Sequence, residues 1–341
     1  MKLKSILSLA AITIASFSYG QEASEALQIS GSVDTYFKYD FEKAPNIKTY
    51  FANEHNSVSI GMIDLALKKT TGKASFVGEI SFGPRGQAQS IVPSADGESF
   101  HIQNLYVNYA FTDKFTMTAG YMGTFVGYEV ISPVANFNYS TSYLFGWGPF
   151  QNAGIKGTYA FSDKASLMVG LFNDWNAYQD LNGVSHIGAQ LMLAPVEGWS
   201  AYINFLSGSA AGSPGTGTII DLTTAYQVTE SFKLGLNAAD YSIANDNGGY
   251  SGVAIYPQYA FSPAVSLGLR GEYFNIKGMA GTSSSAITAI TVSGNLKAGG
   301  LTFIPEVRFD SDEDLTQSFM KSNGALTKSA SQFSLAAVYA F

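Results

Sequence analysis

"ISGSVDTYFKYDF", residues 29–41, separates into two kinds of side chain taken alternately. The odd positions are Ile29, Gly31, Val33, Thr35, Phe37, Tyr39 and Phe41; the even ones are Ser30, Ser32, Asp34, Tyr36, Lys38 and Asp40. Successive side chains of a strand point to opposite faces. The stretch therefore predicts a strand with one apolar face, aromatic toward one end, and one polar, charged face. "AVSLGLRGEYF" (264–274) splits likewise, with Val265, Leu267, Leu269 and Tyr273 against Ser266, Gly268, Arg270 and Glu272. In "LTFIPEVRFD" (301–310), Leu301, Phe303, Val307 and Phe309 oppose Thr302, Glu306, Arg308 and Asp310. At the C-terminus Phe333, Leu335, Ala337, Tyr339 and Phe341 alternate with Gln332, Ser334, Ala336, Val338 and Ala340. A strand of a soluble sandwich alternates identically. A run of about ten residues with this aromatic load fits a tilted strand crossing hydrocarbon better.

Composition points the same way. Charged residues make up 13% of the chain, about half the usual share for soluble domains, while Phe numbers 24, Tyr 20 and Gly 35. Such a chain would struggle to cover a soluble surface with polar groups. Beyond residue 20 no apolar run is long enough for a helical membrane span. A net charge of -7 gives no basic patch and argues against nucleic acid as a partner. There is no cysteine, so nothing is stapled by disulfides and no lipidated cysteine can form. Residues 1–20 carry Lys2 and Lys4, an uncharged apolar stretch and small residues at Ser18 and Gly20. They predict a secretory signal peptide cut between Gly20 and Gln21. Residues 21–341 are expected to form a single all-β domain, a transmembrane antiparallel β-barrel in the bacterial outer membrane.

A short repeat sets the connectivity. "NYAFTDKF" (108–115) returns as "TYAFSDKA" (158–165), as "QYAFSPAV" (258–265) and more weakly as "AYQVTESF" (225–232). Each copy reads as a strand end, a compact polar turn and the next strand start, with its Tyr and Phe at the membrane–water interface. Further short turns fit residues 69–72, 195–198 and 297–300. Longer connections rich in Gly, Ser, Asn and Asp fall at 42–55, 84–99, 127–149, 176–184, 208–217, 244–250, 277–285 and 311–328. Seven short turns and eight long loops join about 16 strands, with short periplasmic turns and long extracellular loops. A barrel of that size leaves an aqueous lumen. In hydrocarbon an unpaired backbone group costs several kcal/mol, so the last strand, ending in Phe341, is expected to pair with the first.

Residues 125–176 carry the most specific local pattern: "GYEVISP" (127–133), "NFNYSTS" (136–142), Gly148-Pro149 with Gly154-Ile155, and "FNDWN" (172–176). They resemble the OmpL-like putative β-barrel porin family of the Gram-negative outer membrane. Asp174 stands where members often have Gly, a departure confined to loop detail. The resemblance implies a porin, a passive channel for small hydrophilic solutes or ions, without naming a solute. A non-conducting barrel serving as receptor, adhesin or anchor through its long loops is the other reading. Trimer formation, and contact with outer-membrane lipid and lipopolysaccharide, follow by analogy with porins at large.

The third long connection, 127–150, holds Val130, Ile131, Val134, Phe137, Tyr139, Tyr143, Leu144, Phe145 and Trp147 but one charge, Glu129. Water would not favour so apolar a loop. It is expected either to fold inward as a constriction, presenting Glu129, Asn136, Asn138, Tyr139 and Tyr143, or to pack on the barrel rim or a neighbouring subunit. Alternation aims Asp34, Lys38, Asp40, Glu79, Lys156, Asp221, Lys233, Arg270, Glu272, Glu306, Arg308 and Asp310 at the lumen. Seven are acidic and five basic, which predicts weak cation preference.

Nothing points to catalysis. His55, His101 and His186 fall in or beside long loops, and no nucleophile elbow, triad pattern or metal-binding His spacing occurs. The acidic "DSDED" (310–314) and "NDNGG" (245–249) lack a calcium-loop pattern. The Gly-rich "GSAAGSPGTGT" (208–218) lacks the Lys of a phosphate loop. No cofactor is expected.

Overall fold

The computed structural model describes residues 25–48, 50–86, 101–180 and 182–341. The leader expected over residues 1–20 lies outside them. Sixteen strands follow in chain order: β1 (Gln28–Asp40), β2 (Ser57–Thr71), β3 (Ala74–Phe82), β4 (Ile102–Ala110), β5 (Phe115–Gly123), β6 (Gln151–Ser162), β7 (Ala165–Phe172) and β8 (His186–Leu193). The second half comprises β9 (Trp199–Gly208), β10 (Gly217–Gln227), β11 (Phe232–Ile243), β12 (Asn247–Ser262), β13 (Val265–Met279), β14 (Ser285–Ala298), β15 (Leu301–Asp312) and β16 (Ser329–Ala340). Each pairs antiparallel with its sequence neighbours, and β1 pairs with β16, so the sheet is a closed barrel.

Closure comes from the predicted partners. Ser32 faces Ala340 and Asp40 faces Gln332. Gly31 and Phe341 exchange two backbone hydrogen bonds of 3.1 Å. A closed ladder leaves no edge to hydrocarbon, where each orphaned backbone group costs several kcal/mol. Odd residues of β1 such as Ile29 and Val33 are exposed on the outer skin, while Ser32, Asp34, Tyr36, Lys38 and Asp40 are buried inside. At the short-turn end the repeated "Y-A-F" residues form outward pairs: Tyr109 with Phe111, Tyr159 with Phe161 and Tyr259 with Phe261, ring centres 4.9–5.4 Å apart. Amphipathic rings are favoured at that interface.

Two connections are shorter than the sequence suggested. Residues 244–250 read as a long loop, yet β11 and β12 are joined by 244–246 alone. Asn245 and Asp246 both take left-handed φ, +62° and +61°. That is the geometry of a tight hairpin turn, which Asn and Asp tolerate. Residues 277–285 shorten likewise to 280–284.

β2 departs from simple alternation. Val58 and Ile60 face outward, and then Ile63 and Leu65 do, with Gly61 and Met62 both buried between them. The β1–β2 register shifts between Val33 and Thr35, the extra residue of a β-bulge. Asp34 explains it. Its carboxylate accepts from Met62 N at 2.8 Å, and a Cβ at Gly61 would fall on that same carboxylate. The bulge turns Asp64 inward.

Candidate functional site

The segment between β5 and β6, residues 124–150, runs along the inner wall of the barrel. A 3₁₀ turn (Pro133–Ala135) and a short helix α1 (Tyr143–Trp147) shape it. Ser142 caps α1, its Oγ accepting from Phe145 N, as an N-terminal serine does. Inward residues of β1, β10, β13, β14 and β15 hold the rest. Gly127 N donates to Asp221 at 3.0 Å, and Tyr139 N and Ser140 N donate to the two oxygens of Glu306 at 2.8 and 3.1 Å. Asn138 Nδ2 donates to Ser293 Oγ, Tyr143 N to Glu272 and Tyr143 Oη to Asp310. Tyr139 Oη donates to Asp34. Asn136 instead ties the loop to itself, exchanging bonds with the backbone of Val130.

Charge anchors the centre of the loop. Glu129, its only charged residue, meets Arg270 Nη1 at 2.8 Å, and Arg270 Nε meets Glu272 at 2.8 Å. Arg308 pairs with Asp310 at 2.7 Å and donates to Thr141 O at 2.7 Å. Its guanidinium lies 5.1 Å over the Tyr143 ring, within cation–π range. Burial pushes the Glu129 carboxyl up, and Arg270 pulls it back. Burial raises the phenols of Tyr139 and Tyr143 well above the usual value and that of Tyr128 to about 12. All three stay protonated at neutral pH, so Tyr139 and Tyr143 remain donors to their carboxylates.

Glycines in the wall receive the loop's rings. A Cβ on Gly268 would lie 2.3 Å from the Phe137 ring, and one on Gly235 2.3 Å from Tyr128 Oη. A ring can lie on the strand only because no side chain intervenes. Gly268→Val is therefore expected to expel Phe137, lowering stability by roughly 1–3 kcal/mol and opening the channel. Heat-shift electrophoresis and single-channel recording check both. Behaviour like the parent protein would mean that Phe137 is not seated there.

Among the aligned charges, Asp34, Asp221, Glu272, Glu306 and Asp310 and the two arginines meet the loop, whereas others lie apart from it. Lys38 Nζ donates to Ile47 O of the first long loop, and Asp40 accepts from Asn46 there. Glu79 accepts from Asn104 of the next strand, β4. Lys156 on β6 and Lys233 on β11 have no ion pair among the described residues. Alternation missed two groups. Asp64, which accepts from Ser32, hides behind the β2 bulge. Arg85 sits in the connection after β3, outside any strand, and no periodicity could have found it. It donates to Ile131 O and Tyr139 O at 3.2 Å, lies 3.7 Å from Asp34, and stacks on Phe51 and Tyr139.

His186 does not complete a relay. Nδ1 of His186 faces both Ser185 Oγ at 2.7 Å and Asp174 at 3.6 Å. A proton relay needs a different ring nitrogen for each. Among the described residues no group of His, Asp and Glu is arranged to hold a metal.

A family model described as "Putative beta-barrel porin-2, OmpL-like" matches residues 26–341. The chain belongs to this porin family. It is an outer-membrane barrel whose long loops are extracellular and whose short turns are periplasmic. No curated protein matches it in sequence. Solved structures share the fold at low identity. The outer-membrane channel DcaP of Acinetobacter baumannii superposes with a TM-score of 0.64 at 14% identity, over 92% of this chain and 97% of that one. An anion-selective porin from Comamonas acidovorans gives 0.61 at 12%, over 93% and 99%. OmpT of Vibrio cholerae in a trimer form gives 0.58 at 14%, over 92% and 99%.

Proposed function

We propose that this porin passes small hydrophilic solutes and ions by passive diffusion, with the loop 124–150 setting the narrowest part of the path. The observation that carries the reading is the loop's fixation to the inner wall by buried ion pairs and backbone bonds. A receptor loop presented to the outside would not be tied down in this way. Solutes would cross without a cofactor, sorted by size and weakly by charge. Before use, the chain would be exported on the leader 1–20. It would sit among outer-membrane lipid and lipopolysaccharide, and it would assemble as a homotrimer like the trimeric OmpT form.

Mild cation preference follows from the pairing of the lining charges. The three arginines 85, 270 and 308 are each matched to carboxylates. Asp40, Asp64, Glu79, Asp221 and Glu306 are held by neutral donors rather than by arginine. Lys38, Lys156 and Lys233 answer them only in part. Purified protein in a planar bilayer is expected to give stepwise conductance that falls as sugars of rising size are added, with a small positive selectivity for K⁺ in a salt gradient. Silent bilayers would leave the receptor or anchor reading. A reversal potential of the opposite sign would overturn the charge argument alone.

A further inference from the structure

At the extracellular mouth an aromatic cluster joins the end of the loop to the wall. Trp147, the last residue of α1, is 42% exposed. Its ring centre lies 5.6 Å from Phe274 and 6.2 Å from Tyr250. Tyr250 adjoins Tyr241 at 5.4 Å, and Tyr241 adjoins Trp175 at 5.0 Å. Between the β11–β12 and β13–β14 turns Trp147, Tyr241 and Tyr250 open onto a cavity of about 440 Å³, rimmed by Asn247, Lys277 and Ser283. One buried donor of its lining has no hydrogen-bond partner among the described residues: Oη of Tyr250, which is 2% exposed. A buried donor without a partner is unfavourable, so this hydroxyl suits an incoming oxygen. The rim is electrically matched, because Lys277 Nζ donates to both oxygens of Asp240 at 2.8 Å and to Ser242 at 2.7 Å.

Flat apolar rings, an unpaired donor and a neutral polar rim together suit a ligand with one apolar face and an edge of hydroxyls. We propose that this pocket binds the pyranose rings of small neutral saccharides, concentrating them at the channel entrance. The C–H face of such a ring would lie on Trp147 while its hydroxyls meet Tyr250 Oη and the rim. Pockets of a few hundred Å³ with few, placed polar groups are the usual form of small-molecule sites. The inference rests on the porin reading for its purpose, though binding itself needs no current.

The test is fluorescence of the folded barrel in detergent, with Trp199→Phe removing the indole at the far end. Maltose is the probe, and sorbitol, which offers hydroxyls but no ring face, is the control. A saturable change with maltose and none with sorbitol is expected. Tyr250→Phe should weaken the maltose response about fivefold, since one hydrogen bond is lost and none inside the protein is broken. Trp147→Ala should weaken it at least about tenfold. Maltose added on the loop side of a bilayer should reduce current reversibly. An unsaturable response, equal responses to the two polyols, or a Tyr250→Phe titration matching the parent would overturn the proposal. Conductance without maltose binding would sink the saccharide site and spare the channel, and binding without conductance would do the reverse.

Discussion

Deleting residues 131–146 is expected to raise single-channel conductance about two- to threefold, because an empty lumen of this strand number is wide enough for an aqueous channel. The deletion is tolerable on structural grounds. β5 and β6 are already paired, Gly123 opposite Gln151, and Thr124 N donates to Phe150 O at 3.0 Å. The shortened connection therefore has little distance to span. Loss of the loop strips partners from Glu306, Glu272, Arg308 and Asp310, which in a dry core would be severe. Here water would enter the vacated lumen and solvate them, and Arg308 keeps Asp310 as its partner on the same strand. Sugars excluded from the parent channel should enter the deleted one. Unchanged conductance and unchanged exclusion would mean that the narrow point lies elsewhere.

Much of this fold was legible because a membrane barrel writes its geometry in a two-residue period. Ile29 and Asp34 must part company in any strand that has lipid on one side and water on the other. The "Y-A-F" repeats similarly mark where a strand leaves hydrocarbon. What failed to show was local or distant. The turn at Asn245 and Asp246 depends on a pair of left-handed φ angles, and polar composition alone cannot tell such a turn from a long loop. The β2 bulge depends on one carboxylate, Asp34, meeting one glycine, Gly61, from the neighbouring strand. Of the loop's partners, Glu129 and Arg270 are 141 residues apart. Alternation could aim both at the interior, but nothing in the order of residues joins them. The aromatic mouth was missed for the same reason, since Trp147, Trp175, Tyr241 and Tyr250 come from four different segments.

Arg270→Met should destabilise the docked loop by about 3–5 kcal/mol, the usual cost of removing one partner from a buried ion pair. The arginine is fully buried and serves two carboxylates at once, Glu129 and Glu272, as well as the backbone oxygens of Ser140 and Thr141. Methionine fills most of its volume, so the loss is electrostatic rather than a cavity. Without the guanidinium, two carboxylates face each other across the loop–wall junction. The expected result is a lower unfolding temperature by heat-shift electrophoresis, with rapid current fluctuation in the bilayer as the loop detaches and returns. The defect should depend on pH in a definite direction. Burial already raises the Glu129 carboxyl, and Arg270 opposes the rise. In Arg270→Met the largest opposing influence is gone, and burial with the Glu272 charge outweighs the hydrogen bonds from Ser142, so the docked state binds a proton more tightly than the undocked one. Stability must then fall as pH climbs through the raised value and recover as pH drops below it. Adding Glu129→Gln to Arg270→Met should remove that pH dependence and restore part of the stability. A single variant as stable and as quiet as the parent at pH 8 would show that the loop is held by its backbone bonds to Glu306 and Arg308, with the Glu129–Arg270 pair a bystander.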